Sequence, residues 1–304
     1  MSVISIKEIS KQYGDFKAVD SISFEVPKGK IYGILGPNGA GKTTTIRMIN
    51  NIIIPDFGQI TINGEQVSPK TQEWIGYMPE ERGLYKKMKV LEQLLYLTQL
   101  KGMEKSDAKR SIKMWLERFE ASDWLQKEIG ELSKGQQQKI QFIATIAHDP
   151  DIYIFDEPFS GLDPINSEIL KEVILELKKS GKTILFATHR MEQVEQMCDE
   201  ICLFNKGRVI LEGDLLEIKK RFGNNTIEMG FRGDSSFLEN LNHVRINNRS
   251  ANFAEIRLLE GADSQAILKT ALNHVEIDKF ELVYPTLNEI FISSVKKYNE
   301  EVTA

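Results

Sequence analysis

At the start of the chain Val3, Ile4, Ile6 and Ile9 are interleaved with polar residues from Ser2 to Ile9, and a second mixed run covers Ser21 to Val26. A period near two predicts half-buried strands, here an antiparallel pair joined through the turn Tyr13-Gly14-Asp15-Phe16. Ile31 to Leu35 is continuously apolar, as a fully buried strand is, and Thr44 to Asn50 reads as the first turns of a helix. Gly58 to Gly64 is a short strand closed by an Asn-Gly turn, a strong hairpin signal. Ile75 to Glu80 is another short strand entering a polar loop, after which the period lengthens. Val90 to Thr98 reads as a helix, and Ile112, Trp115, Leu116 and Phe119 recur at helical spacing across Ser106 to Glu120, with Trp124 and Leu125 extending the apolar surface. A polar turn, Leu132 to Gln138, opens a helix through Ile140, Ile143, Ala144 and Ala147. Ile152 to Phe155 and Thr183 to Thr188 are two further apolar strands, separated by the turn Ser160 to Pro164 and a helix from Ile165 to Lys179. The expected fold class is α/β, a parallel sheet with an antiparallel β region at the front.

After Gly213 the pattern changes. Leu215 to Phe222 reads as a basic helix, and Gly223-Asn224-Asn225 as a turn. Strands at Thr226–Phe231, His243–Asn247, Phe253–Leu259 and Val275–Val283, with helices at Ser235–Leu241 and Ser264–Asn273, give the order βαββαβ of a small split-βαβ sandwich, a ferredoxin-like α+β domain. A last helix starts near Pro285. The expected organisation is a domain over 1–214, a linker helix and turn over 215–225, and an accessory domain over 226–304.

Composition narrows the classes. A chain of 304 residues has room for one domain of roughly 200 residues and a second of about 80 to 100. A net charge of −5 argues against a general nucleic-acid binder, which needs a basic face. The two cysteines, Cys198 and Cys202, exclude a disulfide scaffold and have no second pair for zinc; they are expected reduced and half-buried. Lys86, Lys87 and Lys89 read as a solvated face, and His243 and His274 as surface residues. No apolar run approaches the length of a membrane span, so a cytoplasmic protein is expected, touching a membrane only through a partner.

The chemistry concentrates at strand ends. Gly36-Pro37-Asn38-Gly39-Ala40-Gly41-Lys42-Thr43-Thr44 fits the phosphate-loop pattern, with a buried strand before it and a helix after. The glycines let the backbone turn its N–H groups inward, Lys42 adds a point charge for the outer phosphates, and Thr43 offers a hydroxyl to Mg²⁺. The helix start adds the positive end of its dipole. Asp156 and Glu157 end an apolar strand, where carboxylates are rarely structural: Asp156 can order a Mg²⁺ sphere and Glu157 can polarise an attacking water. Ser133 is a helix cap, and the N–H groups around Gly135 form a second anion site. Tyr13 is either an ordinary strand-end aromatic or a stacking platform for a purine. His189, at the end of the Thr183–Thr188 strand, is either structural or a γ-phosphate contact.

Taken together and in this order, these motifs resemble the nucleotide-binding domain of ABC transporters over about the first two-thirds of the chain. The phosphate loop, Leu132 to Gln136 as a variant of the LSGGQ signature, the Walker B strand ending at Asp156-Glu157, the D-loop Ser160 to Asp163 and the switch His189 all follow the family order. The resemblance implies a RecA-like core with an antiparallel β subdomain and an α-helical subdomain, and ATP and Mg²⁺ as cofactors. It implies that Tyr13 stacks on adenine, that Ser133, Gly135 and Gln136 bind the γ-phosphate held by the other subunit, and that Asp163 belongs to the shared site. It further implies a head-to-tail dimer with a second copy or a paralogue, and membrane-embedded permease subunits pressing on Val90 to Glu120 and the loop at Glu80.

Two positions depart from the family pattern. Lys134 replaces a signature glycine, and Glu80 stands where the Q-loop usually has glutamine; its carboxylate can accept from a water or ligate Mg²⁺ but cannot donate as an amide does. The Pro285-Thr286-Leu287-Asn288-Glu289-Ile290-Phe291 start is similar to the C-terminal domain of ABC-2-type export ATPases, including sodium and drug exporters; no ionisable cluster in this domain looks catalytic, so a dimer-bracing or regulatory module is expected. The expected function is ATP hydrolysis powering an exporter from the cytoplasmic face of the membrane. The alternatives are a soluble ABC ATPase acting on ribosomes or DNA, against which stand the single phosphate loop and the acidic balance, and a module holding ATP without turnover, against which stands Glu157.

Overall fold

The computed structural model of the chain describes residues 2–223 and 226–303. Asn224 and Asn225 of the expected linker turn, and the terminal residues Met1 and Ala304, lie outside the described residues. Two compact units are present, Met1–Leu215 and Leu216–Ala304.

The first unit opens with β1 (Ser2–Tyr13) and β2 (Phe16–Pro27), paired antiparallel up to the turn itself, where Tyr13 faces Phe16. Both strands run longer than the sequence pattern implied. A register shift between Ile6 and Ile9, with Glu8 at φ 51°, resets the alternation, so that Ile9 is buried like Ile4 and Ile6. Then follow β3 (Ile31–Leu35), α1 (Lys42–Ile49), β4 (Phe57–Ile62), the two-residue β5 (Glu65–Gln66) and β6 (Ile75–Met78). A helical stretch holds α2 (Val90–Leu100), α3 (Lys105–Arg118) and α4 (Lys134–Ile146). The chain returns through β7 (Ile152–Asp156), α5 (Pro164–Lys179), β8 (Thr183–Thr188), α6 (Met191–Met197), β9 (Glu200–Asn205) and β10 (Arg208–Asp214).

These strands make an antiparallel sheet in the order β2-β1-β4-β5 and a six-stranded sheet in the order β10-β9-β3-β8-β7-β6. From β9 to β6 the neighbours are parallel. One continuous apolar core joins Ile4, Ile6 and Ile60 of the first sheet to Tyr32, Ile34, Leu185 and Phe204 of the second, with Ile46 of α1 between. Each such side chain contributes about 1.5–3 kcal/mol when fully buried, which is why the parallel strands carry no charged residue between their first and last positions. A second line of contacts, Trp115 to Phe119 to Phe142 to Phe155, ties α3 and α4 to β7. The parallel register sets the site: Leu35 lies beside Thr188, Asp156 beside Ala187 and Met78 beside Phe155, so the loops after β3, β8, β7 and β6 emerge along one sheet edge in that order.

Cys198 and Cys202 correct the expectation of half-burial: both are buried free thiols, packed as small apolar groups. The space at Cys198 exists because residue 33 is glycine; a Cβ there would lie 2.9 Å from its Sγ.

The second unit, entered through α7 (Leu215–Arg221), holds β11 (Thr226–Arg232), β12 (Val244–Arg249), β13 (Phe253–Leu258), α8 (Ser264–Leu272), β14 (Glu276–Val283) and α9 (Leu287–Thr303). Its sheet is antiparallel in the order β12-β13-β11-β14, the split-βαβ connectivity, over a core of Ile227, Met229, Phe231, Ile256 and Ile267. One expected helix is a 3₁₀ turn, Ser235–Asn240, capped by Asp234. Phe237 and Leu238 are buried in the core of this unit, and Leu241 packs against it. His243 and His274 are exposed, and His274 stacks on Phe237 at 5.6 Å.

Candidate functional site

A cavity of 240 Å³ opens at the sheet edge, lined by the loop after β3, the start of α1, Glu80, Asp156, Glu157 and the β2 residues Phe16 and Ala18. Gly36 leaves β3 at φ 146°, and a Cβ on it would sit 2.4 Å from the carbonyl oxygen of Phe204, so only glycine closes this turn. Lys42 is buried, and its Nζ donates to the carbonyls of Gly36 at 2.7 Å and Pro37 at 3.1 Å. Burial holds the Lys42 ammonium below its ordinary pKa, opposed by the fields of Glu157, Asp156 and Glu80. Pro37, Asn38 and Gly39 are exposed at the lip, Ala40 and Gly41 are buried behind it, and Thr44 lies on the first turn of α1.

Asp156 is 1 % exposed, and Thr43 Oγ1 donates to its Oδ2 at 3.0 Å. Burial pushes its carboxyl up to about 6; Glu80 and Glu157 add to the shift and the Thr43 bond opposes it. Its other oxygen, Oδ1, is buried with no hydrogen-bond partner among the described residues. An orphaned carboxylate oxygen beside a threonine hydroxyl, with the Glu80 carboxylate lining the same cavity, is a hard donor set that fits Mg²⁺. No group of three or more His, Cys, Asp or Glu among the described residues is arranged to hold a metal by itself. Mg²⁺ takes one or two carboxylates and completes its sphere with phosphate and water.

Glu157 is held from several sides. Its backbone sits at φ 51°, an uncommon conformation for a non-glycine residue, and its N–H donates to the Ala187 carbonyl at 2.9 Å. Oε2 accepts from Thr188 Oγ1 at 3.0 Å; Oε1 accepts from the His189 backbone N–H at 2.9 Å and lies 2.6 Å from His189 Nδ1. The structure therefore brings Glu157 and His189 together as an ordered pair, with Lys42, Thr43, Asp156 and Glu80 around the same cavity.

Other predicted residues lie elsewhere. Tyr13 is half-exposed at the end of β1, under the Lys11 ammonium at 5.8 Å, and does not line the cavity; Phe16, its partner across the turn, does. Ser133 caps α4, its hydroxyl accepting from Gln136 N–H at 3.3 Å while Gln136 Oε1 accepts from Ser133 N–H at 2.9 Å. Asp163 caps α5 by accepting from Asn166 N–H at 2.9 Å. Gly135 packs on the D-loop, where a Cβ would lie 3.2 Å from the Gly161 carbonyl oxygen, and Lys134 is exposed. The signature thus forms its own surface next to the D-loop, apart from the Lys42 cavity. Sequence reasoning missed Phe16, Ala18 and Thr188; the signal for Phe16 was its place opposite Tyr13 in a tight hairpin.

Residues 19–160 match the family model described as ABC transporter, and residues 213–295 match that of the ATP-binding protein DrrA1-3-like, C-terminal domain. An uncharacterized ABC transporter ATP-binding protein of Bacillus subtilis, YhaQ, is 44% identical over 293 residues, covering 96% of this chain and 98% of the relative. The chain belongs to the ABC transporter ATP-binding family. Among other members, the Nod factor export ATP-binding protein I of Burkholderia orbicola is 37% identical over 213 residues, covering 69% of this chain and 70% of the relative. A solved ATP-binding subunit of an ABC transporter superposes with a TM-score of 0.69 at 32% identity, over 73% of this chain and 93% of that one. The second unit is of the DrrA-like C-terminal type. No helix among the described residues is long and apolar enough to cross a membrane.

Proposed function

We propose that this protein is the ATP-hydrolysing subunit of a membrane exporter, working from the cytoplasmic face with separate permease subunits. The observation that carries the reading is the grip on Glu157: three hydrogen-bond contacts fix its carboxylate at the cavity wall beside Asp156. A module that only held nucleotide would need no such orientation. In this reading Lys42 and the loop 36–44 bind the polyphosphate, while Thr43, Asp156 and Glu80 hold Mg²⁺, which when bound neutralises charge on the phosphate oxygens. Glu157 takes the proton of the attacking water, and His189 positions Glu157 and senses the γ-phosphate. Phe16, with Tyr13 next to it, supplies the aromatic wall for the base.

Two copies close head-to-tail, each presenting Ser133, Gly135, Gln136 and Asp163 to the nucleotide of the other. Bonds available only in the closed state give the differential affinity that drives closure, and hydrolysis removes them. An apolar groove lined by Leu84, Leu97, Leu100 and Ala144 between the Glu80 loop and α2 is the surface on which a permease segment docks. The export direction follows the Nod factor export relative.

The test is affinity capture of tagged Glu157→Gln protein from detergent-solubilised cells in ATP and Mg²⁺. A polytopic membrane protein recovered in stoichiometric amount supports the reading. Recovery of ribosomes or nucleic acid without one overturns it in favour of a soluble ABC ATPase.

A further inference from the structure

The site that must receive a polyphosphate is itself acidic. Its ionisable lining is one ammonium, Lys42, against three carboxylates, Glu80, Asp156 and Glu157. The N-terminus of α1 adds only about half a positive charge. Asp156 and Glu157 are common ground with the chemistry above, but Glu80 stands where an amide would ligate a cation equally well without adding charge. It forms no hydrogen bond or ion pair among the described residues, and the Lys42 ammonium that lines the cavity with it is shared with Asp156 and Glu157. The Glu80 field reaches both Asp156 and Lys42.

We propose that Glu80 makes nucleotide binding conditional on a divalent cation, admitting the metal–nucleotide complex and repelling the metal-free polyphosphate. This rests on the nucleotide-site reading and deepens it. Binding linkage is reciprocal: the factor by which the cation raises nucleotide affinity is the factor by which nucleotide raises cation affinity, and the Glu80 charge enlarges that factor by weakening metal-free nucleotide binding. With no cation present it contributes repulsion only. A partly exposed unit charge within several ångströms of a phosphate is worth roughly five- to tenfold in binding at an effective dielectric of 20 or more.

The experiment is calorimetric titration with ADP, which is not turned over, into full-length protein in Mg²⁺ and in EDTA. Wild type, Glu80→Gln and Glu80→Asp are compared, with thermal melts to establish that each is folded. In Glu80→Gln, metal-free ADP should bind about five- to tenfold tighter than in wild type, so that the ratio of the affinity in Mg²⁺ to that in EDTA falls by about that factor. Glu80→Asp, which keeps the charge, should retain the wild-type dependence on Mg²⁺. An unchanged ratio of the two affinities in Glu80→Gln, or the same collapse of that ratio in Glu80→Asp, overturns the proposal. Failure of every protein to bind ADP in either buffer removes the nucleotide-site reading itself, and this inference with it.

Discussion

Glu157 shows how far adjacent residue types can be read and where that stops. Two carboxylates at the end of an apolar strand announce chemistry in the sequence. The groups that orient the second one, Thr188 Oγ1 and the backbone N–H and Nδ1 of His189, come from the end of β8, and only the parallel register, with Asp156 beside Ala187, brings them to it. Glu157→Gln keeps the shape and the contact with the His189 N–H but removes the base, so ATP turnover should fall by about 10²–10⁴ while nucleotide binding persists. A phosphate-release assay beside a binding titration checks both halves; turnover at the parent rate refutes the assignment. His148, just after α4, gives a pH prediction. Burial, reinforced by the positive field of Lys101, lowers its pKa to about 4 from an ordinary 6.5. The unfolded chain therefore takes up the proton first as pH falls, and stability present above pH 6.5 is lost progressively toward pH 4, amounting to about 2 kcal/mol by pH 5. Melting wild type and His148→Gln at pH 7.5 and pH 5 should show the larger loss in wild type; equal losses would mean that His148 is not held neutral by burial.

At the scale of elements, the strands and helices that bury one face over many residues were legible: the alternation of β1, the continuous apolar runs of β7 and β8, and the helical spacing in α3. Elements decided by few contacts were not. Ser235–Asn240 is a 3₁₀ turn where a helix was expected, and β1 and β2 outran their apolar pattern because backbone pairing continues to the turn regardless of side chain. Cys198 and Cys202 were expected half-buried, yet both pack fully, Cys198 against Gly33 and Cys202 in the apolar core beside Ile34. The phosphate loop was legible as a motif, but which of its glycines is indispensable is a packing question. Gly36 is wedged against Phe204, whereas a Cβ on Gly39, at φ 78°, would meet nothing within 4 Å. Gly39→Ala should cost about 1 kcal/mol for its left-handed backbone, and Gly36→Ala at least about 2–3 kcal/mol more, since backbone must move. Denaturant titrations of the two variants give the comparison, and a Gly36→Ala protein as stable as Gly39→Ala would contradict the wedge.

The molecule divides into two units, Met1–Leu215 and Leu216–Ala304. One chain holds the signature and the phosphate loop on separate surfaces. Ser133 is exposed at the cap of α4 and takes no part in the cavity lined by Lys42, Thr43 and Asp156. If each copy completes the other's site, damage at Ser133 must be silent in the monomer and decisive in the dimer. Ser133→Arg loses a helix cap, worth about 1 kcal/mol, and places a long cation on the surface that would meet the partner's nucleotide. The folded monomer should therefore bind ATP–Mg²⁺ with the wild-type constant. Turnover should fall to background, and the dimer that Glu157→Gln traps in ATP should not form in the Ser133→Arg/Glu157→Gln double variant, as size-exclusion chromatography with light scattering will show. Mixing Ser133→Arg with Lys42→Ala subunits adds the strongest constraint. In a head-to-tail pair, the intact phosphate loop comes from the Ser133→Arg copy and the intact signature from the Lys42→Ala copy. One composite site therefore remains whole, and the other carries both lesions. Recovered turnover in the mixture, above that of either protein alone, is the expected result. Loss of ATP binding by monomeric Ser133→Arg would place the signature in the same subunit's site and defeat the shared arrangement.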